Sequence, residues 1–259
     1  MAYKLTHLKL MRALNCKKDS FLSGVEWRTI PWNLHPKSLF DSLLDIMSTL
    51  PALLARTGRI TATRSHTDSL VSRPESALAE CQRLAGQLDE WAALAGPRRI
   101  PCRPQPDSAL DTKSKGLVFR DGITAVSCVY LWTAKLLLHQ CTGVLRELMS
   151  RPVIEHIIGM DYVCPAMNTF VDTQSVLLSA NICSGLDSAL ANTLQPDLLV
   201  GPLAIANKVF AEAVRQQQHT KETSDHILWN EDFVKRLAAK AEHMRGWIEA
   251  KPWRDLAHF

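Results

Sequence analysis

The run from Gly122 to Leu138 constrains the fold most, because it is the longest weakly charged stretch in the chain. Helical spacing continues around it, so residues 119 to 150 are predicted to form one long helix that is apolar nearly all round in its first half. A bilayer span is disfavoured, because the run is slightly short, contains Lys135, and is bracketed by charged or polar pairs. The pattern therefore predicts a helix at the centre of a helical bundle.

The remaining segments also favour helices, because apolar residues recur at helical spacing and no stretch shows sustained strand-like alternation. We therefore predict an all-α fold, an irregular multi-helix bundle of antiparallel helix pairs around the central helix. Two apolar stripes predict helices early in the chain: Leu39, Leu43, Ile46, Met47 and Leu50, with Ser38 as the N-cap, and Leu78, Cys81, Leu84, Leu88 and Trp91. Further helices are expected at about 165 to 192, 199 to 218 and 230 to 250.

The length of the chain limits the number of domains. With 259 residues and a mass of 28.9 kDa, it is near the upper size for one hydrophobic core, so residues 1–259 are predicted to form a single helical domain. Two segments have the composition of loops: residues 56–75 are rich in Arg, Thr and Ser, and residues 96–116 contain four prolines. Both are predicted to be mobile loops.

The charge of the chain favours no particular class of ligand. A net charge of +4 is mild for 259 residues and is well below that of a dedicated nucleic-acid binder. The N-terminus mixes charged residues into every turn and has no uninterrupted apolar segment of the kind that a signal peptide needs. We therefore expect a protein of the nucleus or cytoplasm that does not associate with membranes.

Seven cysteines are scattered along the chain, and no two are closer than thirteen residues. A zinc cluster needs thiolates in tight pairs, so that both reach one metal at about 2.3 Å. The sequence also contains no phosphate-cradling glycine-rich loop and no dinucleotide fingerprint. We therefore predict neither a metal site nor a cofactor, and we interpret Cys128 and Cys141, in the apolar run, as small core residues.

Several strings follow a fixed order between residues 20 and 255: Trp27–Trp32 with Leu44–Leu54, Cys81–Trp91, Tyr130–Leu138, and Ala180–Ser184 with Gly201–Ala206. In this order they resemble the helical regulatory region of fungal binuclear zinc cluster transcription factors, the fungal-specific transcription factor domain. The resemblance implies a regulatory and interaction module, linked to fungal secondary metabolism and responsive to a small molecule. The implied partner is a full-length zinc cluster factor or a second copy.

The departure from that family lies in the DNA-binding part. The cysteine-rich cluster, the basic linker and the dimerising coiled coil of the family are missing before Met1. We therefore expect no direct, sequence-specific DNA binding. The leading hypothesis is a transcription-factor-like regulatory protein that acts through a partner or a ligand.

The competing hypothesis is an enzyme, a metal- and cofactor-independent cyclase or isomerase that folds a hydrophobic natural product. Trp132 and Tyr130 would line its apolar pocket, while His139 or Asp121 would supply a polar group for proton transfer or hydrogen bonding. These four are the predicted ligand-binding residues under either hypothesis. No residue is predicted to be catalytic on the evidence of a motif, and the balance favours a protein that is not an enzyme.

Two other sets of residues have simpler interpretations. The i, i+4 aspartates Asp41 and Asp45 lack the second acidic motif of a metal-dependent cyclase, so we interpret them as a solvated or salt-bridged helix face. Trp27 and Trp32 flank Pro31 in a segment without helical periodicity. We expect these two indoles to hold that segment against the helical bundle.

Overall fold

The computed structural model describes residues 2–18, 20–33, 36–62, 73–95, 103–104, 117–150, 171–216 and 221–245. The fold is all-α, as predicted. The helices are α1 (Ala2–Cys16), α2 (Val25–Thr29), α3 (Leu39–Met47), α4 (Leu50–Ala62), α5 (Pro74–Ala95), α6 (Gly122–Ser150), α7 (Thr173–Asn192), α8 (Val200–Arg215) and α9 (Lys221–Arg245). Two strands of two residues, β1 (Arg103–Pro104) and β2 (Leu117–Val118), pair antiparallel.

The chain divides into two compact units. The first contains residues 1–96 and 134–175, and the second contains residues 97–133 and 176–259. Helix α6 is continuous through this division, so its first half belongs to the second unit and its second half to the first. The prediction of a single domain stays a prediction.

In the first unit, α3 and α4 pack against each other and on α5, and α1 packs on α4. Ser38 and Asp41 form a capping box that starts α3, as the N-cap prediction required. Trp91 is buried, and its indole N–H donates to the carbonyl of Leu39 at 2.7 Å. This bond joins α5 to the first turn of α3.

The acidic pair of α3 has two separate roles. Asp45 forms an ion pair with Lys37, as expected for a salt-bridged face. Asp41 is only 2% exposed, because its carboxylate accepts from the backbone N–H of Ser38 inside the capping box. The expectation of a solvated face is therefore wrong for Asp41.

In the second unit, α8 packs on α9, and both contact the 3-10 helix Pro196–Leu199. Helix α6 enters this unit as the predicted buried helix, since Ala125 to Leu131 are buried without interruption. By length and composition alone α6 is long and apolar enough to cross a membrane, but 67% of its most apolar window is buried inside the protein. The prediction of a core helix is confirmed for this half.

Several boundaries differ from the predictions. Helix α4 continues to Ala62, so the first part of segment 56–75 is helical, because Thr57, Ile60 and Thr61 are buried. Residues 63–72 lie outside the described residues. In segment 96–116 the strand β1 is described, and the rest lies outside the described part. Helix α9 begins at Lys221, nine residues earlier than predicted, and the early turns carry the buried His226.

Candidate functional site

Tyr130, one of the predicted pocket residues, is fully buried in the second unit. Its hydroxyl donates to the carbonyl of Leu198 at 3.0 Å. In a continuing helix that carbonyl would receive the N–H four residues later, but this position is Pro202, which has no N–H. Burial raises the pKa of Tyr130, and the charge of Asp197 acts in the same direction. The Tyr130 hydroxyl therefore takes the place of the missing backbone donor just before α8, and this role is structural.

Trp132 is half-buried and lies against α7 at a glycine. A Cβ atom built on Gly185 would meet the indole and the Val129 side chain, both at 2.9 Å, so only glycine allows this close approach of α7 to α6. The ring of Phe119 lies with its centroid 6.2 Å from that of Trp132. The indole of Trp132 therefore packs against α7 and against the Phe119 ring.

Asp121 caps a helix. Its carboxylate accepts from the backbone N–H of Thr124 at 2.7 Å, and this bond lowers the pKa of Asp121 despite some opposing burial. Asp121 lies nine residues before Tyr130. At the rise of an α-helix, this separation is about 13.5 Å along the axis of α6. Asp121 and Tyr130 therefore do not share one polar site.

His139 belongs to the first unit, where its Nε2 atom lies 2.9 Å from the Asp172 carboxylate. Asp172 also accepts from the backbone N–H of Ser175 at 2.8 Å, which caps α7. Partial burial raises the pKa of Asp172, but the bonds from Ser175 and His139 outweigh it and lower the pKa. His139 thus has a carboxylate partner, and each predicted polar group of the pocket has a structural bond.

A chain of buried polar side chains in the second unit has no counterpart among the predicted sites. Cys183 of α7 has its Sγ atom 3.6 Å from Nδ1 of His226 on α9. The Nε2 atom of His226 lies 2.9 Å from Oδ1 of Asn207 on α8, and Asn207 donates to Asn230 at 3.0 Å. Since an amide oxygen faces Nε2, that nitrogen carries the hydrogen, and Nδ1 is free to accept from the thiol.

Aromatic rings enclose this polar chain. The ring of Phe210 stacks on the His226 imidazole with centroids 3.7 Å apart and an interplanar angle of 18°. Next to it, Trp229 stacks on Phe233 at 4.8 Å and donates its indole N–H to Asp187 at 2.9 Å. The second oxygen of that carboxylate accepts from Arg236 at 2.7 Å. Three helices of the second unit are thus joined by polar contacts inside an aromatic shell.

The order thiol, imidazole and amide is the order of groups in one kind of cysteine nucleophile. Such a nucleophile works as a thiolate beside an imidazolium, and the surroundings here oppose both charges. Burial lowers the pKa of His226 to about 4 and raises the pKa of Cys183 far above its ordinary value. The pair is therefore neutral at physiological pH, and it joins α7, α8 and α9 as a structural element.

No spacing signal in the sequence could have found this chain of side chains. Its residues come from three helices, and the partners in each contact are 19 to 43 positions apart in sequence. His226 is a core histidine with both ring nitrogens in polar contacts. Cys128 and Cys141 are also buried, as predicted, and Cys81 is buried beside Cys141. Cys102 and Cys164 lie outside the described residues.

A second unpredicted feature is an exposed apolar surface in the first unit. Four large side chains within the segment 21–30 are exposed, Phe21, Val25, Trp27 and Ile30, at 57%, 66%, 37% and 63%, and together they are called the N-terminal apolar surface below. Phe21 and Trp27 contact each other edge to face at 5.3 Å. Trp27 is 37% exposed and packs against Phe21, so the expectation that it holds this segment against the helical bundle stays a prediction. Trp32 is half-buried.

The part of the chain that carries this surface is rich in positive charge. Residues 1–33 contain six Lys or Arg and two Asp or Glu, a net charge of +4, which equals the net charge of the whole chain. Exposed basic side chains on or just after α1 include Lys9, Arg12 and Lys18, and the Lys9 amine lies 5.1 Å from the Phe21 ring centroid. The mild overall charge conceals this local concentration.

Metal binding has no support among the described residues, which contain no group of three or more His, Cys, Asp or Glu able to hold an ion. Comparison with known proteins gives no further guide to function. No protein-family model, no curated protein and no solved structure matches the chain.

Proposed function

We propose that this chain is a transcription-factor-like regulatory protein that acts by binding another protein. It would correspond to the helical regulatory region of the fungal zinc cluster factors, without the paired cysteines of a DNA-binding cluster. Regulation linked to secondary metabolism, and action in the nucleus through a full-length relative, belong to the same proposal. An all-α body is what such a region requires.

The N-terminal apolar surface is the observation that carries the proposal. Soluble monomers seldom expose several large apolar side chains together, and such surfaces usually mark binding to another macromolecule. Val25 and Ile30 are both more than 60% exposed and lie within six residues of each other. Other large exposed side chains, such as Leu94 and Leu194, stand apart in sequence.

The alternative, a cofactor-independent cyclase or isomerase, has less support. It needs polar groups that are available to a substrate at an apolar pocket. The Tyr130 hydroxyl and the Asp121 carboxylate each bond to the backbone and so serve the fold, and the His139 imidazole is paired with the Asp172 carboxylate. We therefore propose no reaction for the chain.

A tethered reporter assay tests the regulatory function. The chain would be fused to a heterologous DNA-binding domain in a fungal host, with a reporter gene under its control. We expect reporter expression to change several-fold, and the double substitution Val25→Ser/Ile30→Ser to remove most of that change. The matched control, Leu94→Ser/Leu194→Ser, removes exposed aliphatic side chains elsewhere in the chain and should leave the change intact.

Two results would count against the proposal. A reporter that does not respond to the tethered chain would contradict a regulatory role. Conversion of a hydrophobic pathway intermediate by the purified protein, detected by mass spectrometry and lost on His139→Ala or Asp121→Ala, would favour the enzyme.

A further inference from the structure

We infer that the N-terminal apolar surface binds an acidic amphipathic segment of another protein, with aliphatic side chains on one helix face and carboxylates beside them. The inference rests on the proposed function, since it names the chemistry of the partner. It is carried by the contact of Lys9 with Phe21, and by the exposed basic residues that the same N-terminal segment concentrates.

The apolar residues set the first requirement for the partner. Val25 and Ile30 are aliphatic, and Phe21 has Lys9 over one face and Trp27 at its edge. Aliphatic side chains offer no stacking surface to a nucleic-acid base, and the Phe21 ring is already contacted on two sides. Aliphatic and aromatic side chains of a protein helix satisfy this surface better than bases do.

The basic residues set the second requirement. Lys9 and Arg12 are three positions apart on α1, so they lie on the same face of that helix. In the part of the chain that the structure describes, no carboxylate forms an ion pair with Lys9, Arg12 or Lys18. Arg28 is half-buried, and its Nε atom has no hydrogen-bond partner among the described residues. These cations are complementary to carboxylates on a partner.

Charge also argues against two other occupants. A second copy of the chain, docked through the same surface on a two-fold axis, would bring the two sets of basic residues together. An anionic membrane would attract the lysines, but Glu26 is exposed between Val25 and Trp27 and would be pressed against lipid phosphates. A protein helix can place a basic residue opposite Glu26, which a lipid surface does not offer.

The test is fluorescence polarisation of the whole chain with a labelled synthetic peptide. The probe is an amphipathic helix of about 18 residues, with Leu at helical spacing and Glu at most other positions. We expect saturable binding that weakens as ionic strength rises. A peptide of the same composition in scrambled order, and one with Lys in place of Glu, should bind at least tenfold more weakly.

Charge reversal tests the site. The double substitution Lys9→Glu/Lys18→Glu should weaken binding of the acidic peptide by about tenfold or more. Arg73→Glu/Lys235→Glu makes the same change in net charge at exposed positions elsewhere and should bind like the wild type. Far-UV circular dichroism of both variants checks that each is folded.

The contrary outcomes are distinct. Failure to bind the acidic peptide, equal loss in both double variants, or tighter binding to phosphatidylserine vesicles or duplex DNA would each overturn the inference. If the peptide fails but the reporter still depends on Val25 and Ile30, the regulatory function stands and the acidic partner is wrong. If the peptide binds and the reporter is unresponsive, the docking surface stands and the regulatory function is wrong.

Discussion

Two regions of this protein depart from the usual distribution of side chains, in opposite directions. In the second unit, Cys183, His226 and Asn207 bring polar groups into the interior. In the first unit, Val25 and Ile30 leave aliphatic groups in water. The buried polar groups of the second unit hydrogen-bond to one another. The exposed aliphatic groups of the first unit are not covered by any of the described residues. Hydrogen-bonded polar groups in an interior contribute to stability, whereas we propose that the exposed aliphatic groups of the first unit contribute to recognition.

The largest effect on stability is expected at His226. Replacement by Ala removes the stack on Phe210, leaves a cavity, and deprives Cys183 and Asn207 of their partner. We expect the free energy of unfolding in urea to fall by about 3 to 4 kcal/mol. The control Lys235→Ala, at an exposed position of α9, should cost less than about 0.5 kcal/mol. If both variants lost the same free energy of unfolding, the chain of buried polar side chains would make no specific contribution to stability.

The second prediction concerns pH. Burial depresses the pKa of His226 from 6.5 to about 4, so the unfolded chain binds a proton more readily than the folded chain. The stabilisation from the neutral imidazole is complete above pH 6.5 and is lost as the pH falls through 4. Between pH 7 and pH 4 the wild type should lose about 3 kcal/mol more than His226→Gln, which has no titrating group. Parallel pH profiles from urea titrations of the two proteins would refute this assignment.

A smaller effect is expected at Tyr130, a predicted pocket residue that is buried and bonded to the backbone. Tyr130→Phe keeps the buried ring and removes the donor to the Leu198 carbonyl. The cost should be about 1 to 2 kcal/mol in urea unfolding, because that carbonyl becomes buried and unsatisfied. A substitution that leaves stability unchanged and abolishes binding of a small hydrophobic ligand would restore the pocket hypothesis.

The features that were predicted correctly from the sequence depend on residues close to one another along the chain. Helix α6 follows from an apolar run, and Ser38 starts α3 as predicted, because the capping box lies within four residues. The polar chain depends instead on which helices become neighbours, and no spacing along the sequence records that. The exposure of Phe21 was not predicted for a related reason: an aromatic residue reads the same in a sequence whether it fills a core or is exposed to solvent.

The smallest effect on stability, and the sharpest separation of the two regions, is expected at Ile30. Its side chain is 63% exposed, so Ile30→Ser removes little buried apolar area and should change the free energy of unfolding by less than about 0.5 kcal/mol. The same substitution should weaken binding of the acidic amphipathic peptide several-fold, because Ile30 is one of four residues that form the apolar surface.

The control is His226→Ala, which should bind that peptide like the wild type under conditions where the variant remains folded. A large loss of stability with unchanged binding for Ile30→Ser would mean that the N-terminal segment is held to its own unit, and the assignment of recognition to this surface would be wrong.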